Sequence, residues 1–249
     1  MDAIKESFAA GLGIVPAYRY FVRKSALQLG LPSPTLPWGQ SIVRGAKEGF
    51  PAISLIVGSQ LFAQGKIEEA MAPFFKRESS PFLFPGVSSF LTGAATSPVL
   101  AFYNLLTMKT ADQTYRQVAM LAVRKLTLGQ VAAVAARETA FLYSIRVLGP
   151  LEALLMEGEL IRYTSAFASG FFGSAACHSL DTAFTLWQRG HSITQLANFT
   201  KSDSSMEKAT KCASILFRGW KSRAFGNGLF VCTFRLISQQ LKDAEKIDR

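Results

Sequence analysis

The chain has 249 residues, of which 49% are hydrophobic and only 18% charged, and its mean hydropathy is +0.21. These values exclude a disordered or fibrous chain, and a net charge of +10 accompanied by long apolar stretches argues against a nucleic-acid binder, whose basic surface would be mostly polar. A membrane protein with basic loops fits both facts. A water-soluble all-α domain would need a larger polar shell to bury so many apolar segments.

In chain order, the N-terminal MDAIKESFAAG carries Asp2 and Glu6 and no Arg-rich amphipathic stretch, so no cleavable presequence is expected and targeting must be internal. A first apolar helix is predicted over Ser7 to Val22 and a second, free of charge, over Gly49 to Gly65. The third falls in the uncharged run between Glu78 and Lys109, which exceeds the roughly 20 residues that cross the hydrocarbon core. The fourth covers Thr127 to Leu155, the fifth the uncharged Tyr163 to Leu180, and the sixth Phe225 to Ile237. Arg19, Arg137, Glu138, Arg146 and Arg235 fall inside these segments and require a protein-lined interior.

The connections after the first, third and fifth helices are strongly basic, with Arg23, Lys24, Arg44, Lys47, Lys109, Arg116, Arg124, Arg189, Lys208, Lys211, Arg218, Lys221 and Arg223 among their residues. An even number of helices puts both termini on the opposite, more acidic face, and the basic loops mark the side from which insertion is controlled. Cys177, Cys212 and Cys232 are widely spaced and read as small apolar residues, while His178 and His191 have no partner at metal-ligand spacing. No phosphate-binding loop, dinucleotide fingerprint or nucleophile elbow occurs, so no catalytic residue, cofactor, metal or enzymatic activity is expected.

Internal repetition organises the chain. Arg44-Gly45, Leu128-Gly129 and Arg218-Gly219 recur at intervals of 84 and 90 residues and are expected to open the even-numbered helices. Pro16-Ala17-Tyr18, Pro98-Val99-Leu100 and Ser179-Leu180-Asp181 recur at 82 and 81 inside the odd-numbered ones. One domain over residues 1–249 is therefore expected, in helix–loop–helix repeats of about 1–80, 81–160 and 161–249. Amphipathic segments at Thr114 to Leu126 and Ser204 to Phe217 suit the membrane surface, and the first repeat lacks room for one.

This pattern resembles the mitochondrial carriers, whose three repeats of two spanning helices enclose a central solute path. SLDTAFTLWQ, Ser179 to Gln188, looks like the signature of that family, LFRGWKSRAFGNGLF resembles the start of its sixth helix, and RETAFLYSIRV from Arg137 is similar to the Arg-acid pair of its amino-acid-type members. The resemblance implies an all-α membrane protein of six transmembrane helices, multi-pass in the mitochondrial inner membrane, with anionic lipid such as cardiolipin at the basic loops and no nucleic acid as partner.

The departures are as informative. The acid positions of the family's salt-bridge ring read Tyr18, Leu100 and Asp181, and the basic positions Phe21, Tyr103 and Phe184, so Asp181, with Gln188, is a gate remnant. Phe21, Tyr103 and Phe184 are expected to form an aromatic plug, and the change from Pro to Ser179 to alter the kink of the fifth helix. Asp181 is expected to pair with Lys24 or Lys109. The opposite gate reads LFAQGK at Leu61 to Lys66, VLGPLE at Val147 to Glu152 and LISQQL at Leu236 to Leu241, from which no ring of charges can form. Ala52, Ile53, Ala136, Arg137, Gly226 and Asn227 are expected to face the middle, where Arg137, Glu138 and Asn227 are the candidate substrate-binding residues. Adjacent side chains on a helix diverge, so Glu138 could instead pair with Arg146 or Arg19. Gly11, Gly13, Gly93, Ala94, Ala95, Gly170 and Gly173 are expected to permit close helix packing.

With both rings lost and the repeat skeleton kept, the expected function is that of an accessory or structural subunit of a larger inner-membrane assembly, such as a respiratory or ATP-synthesising complex. The alternative is a working carrier of a small charged solute, amino-acid-like or carboxylate.

Overall fold

The computed structural model describes residues 2–75, 80–107, 109–110, 112–124, 126–143, 158–200 and 202–247. It is 82% helical, and no strand occurs among the described residues. Helix α1 runs over Asp2–Gln28, α2 over Trp38–Arg44, and a π turn over Gly45–Gly49 leads directly into α3, Phe50–Met71. Then follow α4 (Leu83–Ala95), α5 (Ser97–Leu106), α6 (Tyr115–Arg124), α7 (Leu128–Tyr143), α8 (Glu159–Ala176), α9 (His178–Gln188), α10 (Ile193–Ala197), α11 (Ser205–Leu216) and α12 (Trp220–Ile247).

The long helices close into a ring. α1 packs on α3 and α12, α3 on α4, α4 on α7, α7 on both α8 and α9, and α8 on α12. Small residues set these contacts: a Cβ on Gly13 would meet the backbone of Phe234, one on Gly93 the backbone of Ala135, and one on Gly170 the carbonyl oxygen of Asn227 at 2.7 Å. The amphipathic segments form α6, packed against α5, and α11, packed against α9 and α10.

Two odd-numbered segments are interrupted by a single residue. Thr96 separates α4 from α5 (φ −94°, ψ 3°), where Pro98 lacks an N–H for the preceding turn. Cys177 separates α8 from α9 with nearly the same geometry (φ −98°, ψ 10°), although Ser179 stands where the repeat would place a proline. The break expected to change at Ser179 is therefore retained, whereas α1 continues unbroken through Pro16. Both α1 and α9 end on Schellman motifs: Gly30 (φ 72°) and Gly190 (φ 77°) take the left-handed conformation, with Leu31 N–H on Ala26 O and His191 N–H on Leu186 O.

The first repeat departs most from expectation. Leu128 opens α7 and Trp220 opens α12, close to the predicted starts, but Arg44-Gly45 lies inside a continuous helical path from Trp38 to Met71. The reason is packing against α1. Tyr18 is fully buried; its Cβ stands 3.2 Å from the position a Cβ would take on Gly45, and its ring 2.8 Å from that on Gly49. Its hydroxyl donates to Glu48 at 2.6 Å, and Glu48 also receives Arg44 at 3.1 Å. The π turn thus brings the Glu48 carboxylate to the buried Tyr18 hydroxyl of α1.

No single described helix is long and apolar enough to cross a membrane; α6 and α7 pass that test only together, bent by 102°. α4 and α5 are apolar but only 13 and 10 residues long. Lys24, Gln28, Gln60, Asn104, Arg137, Glu138, Asp181, Gln188, Arg223 and Asn227 are all buried, while Leu55, Phe62, Phe90, Leu91, Leu160 and Phe172 are exposed on the outer faces. Lys24 and Arg223, expected in the basic loops, are thus corrected to interior positions one turn inside their helices. Outside the ring, Lys211 and Thr200 hydrogen bonds hold the Asp203 carboxyl well below the usual carboxylate range. Ser204 and Glu207 close a capping box at the start of α11, which lowers Glu207 through the Ser204 backbone N–H.

Candidate functional site

The centre of the ring holds a cavity of about 120 Å³, room for at least about four waters or one small organic molecule. Three cations, Lys24, Arg137 and Arg223, and two carboxylates, Glu138 and Asp181, line it, leaving one net positive charge.

Asp181 is the hub of this cluster. Its Oδ2 takes Lys24 Nζ at 2.9 Å and Gln28 Nε2 at 2.9 Å, both from α1. Its Oδ1 takes Arg137 Nη1 from α7 at 2.7 Å. Arg223 Nε from α12 stands at 3.7 Å, too far for a hydrogen bond, and that guanidinium donates through Nη1 to the Ser174 carbonyl at 3.1 Å. Asp181 is placed one turn past the break at Cys177, on the face of α9 that the break turns toward the ring centre.

Glu138 closes the other side. Arg137 Nε donates to its Oε1 at 2.8 Å, and Gln60 Nε2 of α3 donates to its Oε2 at 3.0 Å. The expected divergence of these neighbouring side chains is overturned, because the arginine is long enough to lay its guanidinium between Glu138 and Asp181. Arg19 instead stacks on Trp38, with 4.2 Å from its guanidinium carbon to the ring centroid; Arg146 lies outside the described residues. Asn227 lines the cavity but is engaged by Ser174 Oγ, to which its Nδ2 donates at 2.6 Å. Of the two partners expected for Asp181, Lys24 is the one found; Lys109 packs over the Tyr115 ring. Ile53 lines the cavity beside Ile56, whereas Gly226 packs against Tyr20 of α1.

A closing layer lies beside the cluster, one turn past the aromatic positions. Ser25, Thr107 and Gln188 are equivalent in the 82- and 81-residue repeat. Ser25 and Thr107 share a hydrogen bond of 2.9 Å. Gln188 accepts from Asn104 Nδ2 at 2.6 Å and donates to Ala101 O at 3.2 Å. Lys24 Nζ reaches Asn104 Oδ1 at 3.3 Å, which joins α5 to the charge cluster. Polar side chains of α1, α5 and α9 are therefore knitted together without an acid-base ring. The expected aromatic layer is present as well: Phe21 and Tyr103 meet edge to face at 6.4 Å, and Phe184 is fully buried in the same core cluster, under Arg137.

At the opposite end Lys66 pairs with Glu69 of its own helix, and residues 147–152 lie outside the described residues. Contacts across helices there include Lys5 Nζ to Glu245 at 2.6 Å, which joins the start of α1 to the end of α12, and Ser88 of α4, whose hydroxyl donates to Glu68 of α3 at 2.9 Å.

Sequence reasoning found Arg137, Glu138, Asn227 and Asp181 among the cavity residues, named Lys24 only as a partner of Asp181 and Tyr103 only as part of an aromatic plug, and missed Gln60, Asn104 and Arg223. Asn104 carried a usable signal, since it directly follows the aromatic position of the second repeat. Gln60 carried none. Tyr103 stands out chemically, because its hydroxyl oxygen is buried beside the cavity and has no hydrogen-bond partner. The five charged groups, with this spare hydroxyl, can bind and orient a small anion. No group of three or more potential metal ligands occurs among the described residues. No protein-family model matches the chain, and no curated protein matches it in sequence.

Proposed function

We propose that this chain is a membrane-embedded bundle of the mitochondrial-carrier type, six-span and in three repeats, whose central cavity binds and passes a small organic anion. One observation carries the reading: beside the apolar core, a connected cluster of buried charged and amide side chains lines the middle of the ring, while Leu55, Phe62, Leu160 and Phe172 are exposed outside it, the last three by 71%, 80% and 66%. Buried ionisable side chains around a central cavity, with large apolar side chains on the outside, suit a solute path through lipid. The net charge of +1 in the cavity selects the sign of the solute. Lys24, Arg137 and Arg223 are its anion-binding residues, Glu138 and Asp181 their counter-ions, and Tyr103 a spare donor.

The test is exchange of labelled monocarboxylates and amino acids across liposomes holding the purified protein. Saturable exchange that Arg137→Ala abolishes supports the reading, and absence of exchange for every small anion refutes transport. A second reading, an accessory subunit of a larger membrane complex, draws support from the closing layer, because the neutral Ser25–Thr107 and Asn104–Gln188 contacts suit a static seal. Stoichiometric comigration with a large complex on native gels, together with no exchange, would favour it.

A further inference from the structure

Asp181 accepts from three residues, whereas Glu138 accepts from two, Arg137 and Gln60. A carboxylate offers about four lone-pair sites, and here Lys24, Gln28 and Arg137 take three of them at 2.7 to 2.9 Å while Arg223 stands at 3.7 Å. One protein carboxylate therefore occupies the meeting point of all three cavity cations. A solute carboxylate would need those same donors, and the Tyr103 hydroxyl, on a residue that lines the same cavity, has no hydrogen-bond partner among the described residues.

Resting on the anion-binding reading above, we propose that the Asp181 carboxylate is a built-in surrogate ligand, which a bound monocarboxylate displaces from Lys24 and Arg137. The same displacement loosens the closing layer, because Lys24 also holds Asn104 and Gln28 holds both Asp181 and Thr182. Ligand binding and closure of the α1, α5 and α9 ends thus compete for one set of donors. Charge fixes the ligand class. With three cations and two carboxylates, one added negative charge neutralises the cluster, and a dianion would leave it as unbalanced as before with the opposite sign.

Titration calorimetry and thermal unfolding of the purified full-length protein, with sodium acetate and lactate as probes, succinate as the dianion and chloride at matched ionic strength, test the proposal. Asp181→Asn is expected to bind acetate at least tenfold more tightly than the wild type, and acetate is expected to raise its unfolding temperature more. Folding of D181N only in the presence of acetate is the same result in stronger form. Asp181→Ser takes the place of D181N should that variant not fold. Glu138→Gln adds the same one unit of positive charge to the cavity while Asp181 stays in place, and a gain in E138Q equal to that in D181N assigns the effect to net charge and overturns the proposal. Wild-type binding with equal or weaker binding by D181N overturns the surrogate role and leaves the anion cavity standing. No binding of acetate or lactate by the wild type or either variant overturns both.

Discussion

Replacing Arg137 by Gln should be among the most damaging single changes in the ring interior. Arg137 and Glu138 are 7% and 6% exposed, and the guanidinium supplies Glu138 with contacts of 2.7 and 2.8 Å and Asp181 with one of 2.7 Å. In R137Q, Asp181 keeps Lys24 and Gln28, but Glu138 retains only the Gln60 amide among its described donors. Stranding one partner of a buried pair costs about 3 to 5 kcal/mol. The double variant R137Q/E138Q removes both charges and leaves neutral groups that can bond to each other and to Gln60, so it should be more stable than R137Q despite carrying two changes. Equilibrium unfolding in mixed micelles, read by tryptophan fluorescence, measures both. A loss under about 0.5 kcal/mol in R137Q, or strict additivity of R137Q and E138Q, would refute the cluster as described.

Tyr103→Phe removes a hydroxyl that has no partner, so the ligand-free protein should be unchanged or stabilised by up to about 1 kcal/mol, while acetate affinity falls several-fold in calorimetry. Gly49→Ala would push a Cβ to 2.8 Å from the Tyr18 ring; a loss of about 1 to 3 kcal/mol is expected, and an unchanged unfolding temperature would contradict the tight seat of the π turn. At the start of α11, Asp203 and Glu207 have lowered folded-state pKa values. Their contribution is therefore fully present above the unfolded carboxylate values of about 4 and is lost as pH falls through the lower folded ones. Hydrogen exchange at the first turns of α11, corrected for intrinsic rate, should be flat from about pH 8 to 5 and rise below about 4.

The all-helical class was legible because it rests on apolar periodicity along the chain. The breaks at Thr96 and Cys177 fall within two residues of the marker Pro98 and Ser179. What escaped the sequence is what depends on register between helices. Lys24 and Arg223 look like members of basic loops, since only the three-dimensional seat of Asp181 explains why two cations enter the interior. The convergence of Arg137 and Glu138 was also hidden. Helical geometry separates neighbouring Cβ atoms, and it takes Gln60 on one side and Asp181 on the other to draw both heads to one point. Tyr18 shows a third kind of loss, in which its buried hydroxyl finds Glu48 at a π turn that local propensity does not announce.

The central claim is that the outer face of this ring meets lipid while its middle holds water and an anion. Spin labels placed singly at Leu55, Phe90 and Phe172, all exposed on the outer faces, in a background with Cys177, Cys212 and Cys232 changed to Ser, measure it directly in liposomes by collision with oxygen and with a water-soluble nickel complex. The account predicts oxygen-rich, nickel-poor signals at all three positions, and nickel accessibility equal to that of a label at the solvent-facing Met206 of α11 would contradict it.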